Sequence, residues 1–207
     1  MEKLLEIIKK DKVNFFKYII AGAIGFGIGG VCWYVVYFNY INTSISYTLY
    51  KIIAGFLFGA MGGISLSMIS KDIKKNILKF VLFGSIGFAI IGLISTIFLG
   101  VSQLIVIFTD WFLESSTFLN FLSENTIGLV IISICFVIQG AIAGSFYGFA
   151  LGKKIYQLVI AGATGYGLGN IISIVFFGDV NSLMYYLTIG LITGISFGAG
   201  MYFAERA

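Results

Sequence analysis

Apolar residues in this chain run in long blocks separated by short polar intervals, with neither the alternation of a strand nor the broad polar face of a soluble helix. Six blocks, at 13–37, 46–69, 77–99, 126–151, 155–177 and 183–204, each reach the roughly 20 residues a helix needs to cross a bilayer. At that depth only a helix satisfies every backbone polar group within one segment. The pattern therefore predicts an all-α integral membrane protein with six transmembrane helices.

Within the blocks the glycines recur in register. The first block of each consecutive pair contains FKYIIAGAIGFGIGG from Phe16, LKFVLFGSIGFAIIG from Leu78 and YQLVIAGATGYGLGN from Tyr156. Superposing these aligns Gly22, Gly84 and Gly162, and then Gly25, Gly87 and Gly165. The second blocks align Gly59, Gly140 and Gly194, and then Gly63, Gly144 and Gly198. Adding Gly55, Gly148 and Gly190 gives three runs at four-residue spacing, which places each run along one helix face where backbones can approach closely. The expectation is three tandem glycine-rich hairpins, repeats of about 13–75, 76–154 and 155–207, all entering from the same side.

Charge orients the bundle. Of the thirteen Lys and Arg residues, ten fall in the N-terminal segment, at the connections after the second and fourth blocks, or at Arg206, Lys17 and Lys79 lie one turn inside that same side, and Lys51 alone lies opposite. The positive-inside rule then puts both termini in the cytoplasm of a cell-membrane protein. Residues 1–12, MEKLLEIIKKDK, read as an amphipathic helix on that surface, preceding a single membrane domain over 13–207. Between the third and fourth blocks, residues 104–122 mix Trp111, Phe112, Phe118 and Phe121 with Asp110 and Glu114, as an interfacial anchor or a lid does. Lys17, Lys79 and Gln157 occupy aligned positions one turn inside the basic side, where long side chains snorkel or, around an axis, line a vestibule.

Composition narrows the chemistry. With 59% hydrophobic and 11% charged residues the chain has little left for a soluble domain, and without proline its helices have only glycine as a breaker. Histidine is absent, and Cys32 and Cys135 both lie inside blocks, so no metal, cofactor or disulfide framework is expected. Gly25-Phe26-Gly27-Ile28-Gly29-Gly30 matches G-x-G-x-x-G, yet it sits mid-block rather than between a strand and a helix N-terminus, so dinucleotide binding is not expected. Rotary-ATPase proteolipids share this glycine density but require a mid-span carboxylate, which no block contains. Nothing points to nucleic acid, and no acid–base pair supports an enzyme.

Two amides break the repeat. Gln139 stands where the other copies have Phe58 and Thr193, and Asn170 where they have Gly30 and Gly92. Burying an unpartnered amide costs about 2–7 kcal/mol, so both are expected to face the interior. Two functional expectations follow. One is a non-catalytic subunit that assembles with copies of itself or other membrane subunits through its glycine faces. The other is a channel or facilitator for a small neutral solute or lipid, with a path lined by Gln139, Asn170, Tyr166, Ser145, Thr164 and Thr193.

Overall fold

A computed structural model describes residues 11–43, 46–70, 77–113, 124–152, 155–177 and 182–206, with side chains placed outside 98–113 and 124–132. It contains six helices: α1 (Lys12–Ile41), α2 (Tyr47–Ile69), α3 (Ile77–Leu113), α4 (Glu124–Leu151), α5 (Ile155–Phe177) and α6 (Leu183–Arg206). Each is long and apolar enough to cross a membrane, as suits a multi-pass membrane protein, and no strand occurs among the described residues.

Two boundaries depart from expectation. Helix α3 continues through residues 104–113, so the first half of the expected interfacial segment extends a span; residues 114–122 lie outside the described residues. No proline follows Gly100, and one glycine costs a helix only about 1 kcal/mol, so nothing local stops the helix there. Lys12 begins α1 rather than closing the amphipathic segment, residues 1–10 of which also lie outside the described residues.

Helix ends are closed by short polar side chains. At the end of α1, the Asn39 and Asn42 amides donate to the Val35 and Phe38 carbonyls, and Thr43 donates to the Asn39 carbonyl. Ser46 caps the start of α2 by accepting from the Leu49 N–H. Helix α4 ends at Gly152, whose φ of 67° is the left-handed value that glycine adopts at a C-terminus.

Each helix packs antiparallel on its chain neighbours, and α6 returns to α1, which closes the ring. Glycine sets the spacing of three of these interfaces. Between α6 and α1, a methyl group on Gly194 would overlap the Gly22 carbonyl, and one on Gly22 would overlap the Gly194 carbonyl. Gly140 and Gly162 stand in the same reciprocal relation between α4 and α5, while between α2 and α3 a methyl on Gly59 would overlap the Gly84 carbonyl. The seams continue as Gly190 against the Phe26 carbonyl, Gly198 against Tyr18, Gly144 against Leu158, Gly148 against Ile155, Gly55 against Phe88 and Gly63 against Val81. A Cα–H occupies the direction the methyl would take, so all of these except Gly63 and Gly148, which meet Val81 and Ile155 Cα, point weak donors at carbonyls, worth about 0.5–1 kcal/mol each.

The alternating interfaces use the other column. Gly25 meets Met61 and Ser65 between α1 and α2, Gly87 meets Phe146 between α3 and α4, and Gly165 meets Thr193 and Ser196 between α5 and α6. Outside 98–113 and 124–132, every helical glycine is buried within the chain, and the turn residue Gly152 is exposed.

The outer surface is mostly aliphatic, with Ile20, Ile24, Ile28, Leu82, Ile86, Ile160 and Leu168 among the exposed side chains, whereas most of the largest fully buried side chains are aromatic. Adding a methyl to Gly194 is therefore expected to lower stability by about 3 kcal/mol, because it drives backbone from backbone. At Gly27 the new methyl would lie 3.2 Å from the movable tip of Leu191, so Gly27→Ala should cost under about 1 kcal/mol. Thermal and denaturant unfolding in detergent measure the difference, and equal losses would contradict the seam.

Candidate functional site

All six helices send an aromatic ring to the middle of the ring of helices: Phe26, Phe58, Phe88, Tyr147, Tyr166 and Phe197. Phe26 stacks on Phe197 with centroids 5.1 Å apart, and Phe58 meets Phe88 edge-on at 4.9 Å. Phe88 lies 5.8 Å from Tyr166, and Tyr147 lies 5.1 Å from Phe197. Glycines make room for them, since a methyl on Gly62 would enter the Phe26 ring and one on Gly84 the Tyr147 ring. The Tyr147 hydroxyl donates to the Gly59 carbonyl at 2.5 Å, tying α4 to α2 inside the ring. These rings fill the axis.

Both amides are buried and paired within the chain. Gln139 accepts from the Ser95 hydroxyl at 3.3 Å, and the Asn170 amide donates to the Tyr166 carbonyl at 2.8 Å. Thr193 is also buried, but its hydroxyl has no partner among the described residues, nor do those of Ser85 and Ser173. Ser145 is half-buried and bonded to the Ala141 carbonyl, while Thr164 is exposed, donating to the Ile160 carbonyl and lying 3.3 Å from the Ser196 hydroxyl. Of the six polar residues selected in sequence, Ser145 and Thr164 thus belong to the flanks, and the other four are buried. Lys17 and Lys79 are exposed and Gln157 is half-buried.

The end of the bundle carrying the termini is knotted by Glu205. Its carboxylate accepts from the Tyr18 and Ser70 hydroxyls, joining α6 to α1 and to the cap of α2. Next to it, Arg206 pairs with Asp11, donates to the Tyr202 hydroxyl at 2.9 Å and stacks on the Tyr202 ring. Sequence reading ended the last span one residue short of Glu205.

At the far end a cluster of tyrosines surrounds Lys51. Tyr40 stacks on Tyr50 at 4.7 Å, Tyr37 touches Tyr50 and Tyr186, and Tyr47 meets both Tyr40 and Tyr50. The Lys51 ammonium lies 5.2 Å from the Tyr50 ring, 5.4 Å from Tyr47 and 5.7 Å from Trp33. Cation–π attraction is worth about 0.5–2 kcal/mol per ring, whereas holding an ammonium out of water without a counter-charge costs several kcal/mol. No ion pair to Lys51 occurs among the described residues. The Tyr50 hydroxyl lies beside the Trp33 indole and the Tyr186 hydroxyl, yet the buried Trp33 N–H makes no well-formed hydrogen bond. The sequence signal for this cluster was present in Tyr34, Tyr37, Tyr40, Tyr47, Tyr50, Tyr185 and Tyr186, which belong to loop-flanking turns that an aromatic belt also explains.

No group of three or more potential metal ligands occurs among the described residues. Compared with protein families, with curated proteins and with solved structures, the chain matches none.

Replacing Thr193 with valine keeps the shape and removes an unpaired hydroxyl, so stability in detergent should hold or rise by up to about 1 kcal/mol. Glu205→Ala removes two charge-assisted hydrogen bonds and should lower stability by about 1–3 kcal/mol, read by thermal unfolding.

Proposed function

We propose that the protein is a non-catalytic, multi-pass membrane subunit built from three tandem copies of one glycine-rich helical hairpin closed into a ring. The internal repeat is supported by aligned glycines that meet across equivalent seams: Gly22 with Gly194, Gly84 with Gly59, and Gly162 with Gly140. Both termini lie on the cytoplasmic side of the cell membrane, the orientation that the lysine distribution favours. Its role is to bind and assemble rather than to conduct.

One observation carries this reading: the six-ring aromatic plug across the axis, with Phe26, Phe58, Phe88, Tyr147 and Phe197 fully buried. Since the glycine faces are used within the chain, a partner subunit meets either the aliphatic exterior or the two ends, not the glycine stripes. The buried, unpartnered hydroxyls of Ser85, Ser173 and Thr193 favour a second reading, in which the interior is a closed state of a facilitator for a small neutral solute.

Liposome permeability separates the two. The reconstituted chain is expected to leave urea and glycerol permeability within about twofold of protein-free liposomes. A saturable flux that falls in Gln139→Leu and Asn170→Leu would overturn the assembly reading. Mild extraction from the native membrane should likewise release the 22.6 kDa chain in a larger complex, seen by cross-linking and size exclusion.

A further inference from the structure

We propose that Lys51 and the donors around it form a binding site for an oxyanion, a phosphate or carboxylate group, at the far end of the bundle. The proposal is independent of whether the chain assembles or conducts.

Polarity argues for an anion. The cluster offers an ammonium and the Trp33 indole N–H, which can only donate, beside the hydroxyls of Tyr47, Tyr50 and Tyr186, which donate or accept, and no carboxylate joins it among the described residues. The buried Trp33 N–H can only donate, and it lacks a well-formed hydrogen bond. Tyr50, Tyr185, Tyr186 and Trp33 are themselves buried, so the donors are held by ring packing rather than moving freely in solvent.

Position argues for a ligand at the interface. Lys51 sits in the first turns of α2, whose start is capped by Ser46, so the positive end of that helix adds to the ammonium charge. Its backbone is fixed as well, because the Lys51 carbonyl lies against Gly92 of α3 with no space for a side chain between them. Among the described residues the other cations, Lys12, Lys17, Lys79 and Arg206, belong to the opposite end, so Lys51 is the one described cation on the far side. Cation–π contacts with three rings hold the ammonium in place without giving it a counter-charge.

The source of the oxyanion is either a free solute or an anionic lipid head group, and the test separates them. Trp33 and Trp111 are the two tryptophans, so in a Trp111→Phe background Trp33 reports alone. Inorganic phosphate and acetate are titrated against the full chain in neutral-lipid nanodiscs, with chloride at matched ionic strength as control. In a parallel arm, nanodiscs containing phosphatidylglycerol are compared with phosphatidylcholine alone. A saturable Trp33 change with phosphate or acetate assigns the site to a free solute; a change only with phosphatidylglycerol assigns it to lipid. In either case Lys51→Met should weaken the response at least tenfold and Lys51→Arg less than threefold. Tyr50→Phe, which keeps the ring and removes one hydroxyl, should weaken it about threefold and locates the site if Lys51→Met gives no folded protein. A flat response in both arms overturns the proposal, as does an unchanged response in Lys51→Met or in Tyr50→Phe.

Discussion

Backbone meeting backbone at the glycine seams is the constraint on which the rest of this structure depends. A bilayer gives helices no hydrophobic reason to associate, so contact area and carbonyl-directed Cα–H groups have to supply it. At Gly22–Gly194, Gly59–Gly84 and Gly140–Gly162 even one methyl would separate the helices. In a ring of six equal sides the axis lies as far from each helix as neighbouring helices lie from one another, and ordinary packing at about 8–10 Å leaves space for a seventh helix. Shortening alternate sides with glycine shrinks that space until six aromatic rings fill it.

The bundle thus inverts the usual distribution. Isoleucine and leucine predominate on the outside, where lipid solvates them as well as protein would, and the interior holds bulky rings, amides and hydroxyls that gain from being enclosed. Its two ends then differ in kind. One is closed by a carboxylate shared among three helices, a directional contact that fixes how α6 seats on α1 and α2. The other is closed by stacked phenols around a cation, which are held by the shape of their rings.

The six helices were legible because lipid imposes a length and composition that few other constraints imitate. The glycines were legible as contact positions, but the identity of their partners was not: four-residue spacing says that a face is open to close approach, and topology alone says which helix fills it. Hence stripes that suggested an external assembly surface lie against the chain's own helices. Gln139 and Asn170 could be recognised as interior from the cost of exposing an amide to hydrocarbon, whereas Ser145 and Thr164 could not be assigned a side, since a hydroxyl bonded to its own helix backbone is tolerated anywhere. Lys51 was counted as an exception in the charge distribution, because a residue tally carries no information about the rings gathered round it.

Closure of α6 on α1 has a consequence for the order of synthesis. Helix α1 precedes α6 along the chain, and the face bearing Gly22 and Phe26 finds its partner only once Gly190 and Gly194 have been made. At about 5–20 residues per second, that face waits on the order of ten seconds in the membrane, open to any neighbouring small-residue helix. The seams at α2–α3 and α4–α5 close as soon as adjacent helices are inserted. The seam between α6 and α1 is therefore the last of these to form, and it is there that a nascent chain is most exposed to pairing with the wrong molecule.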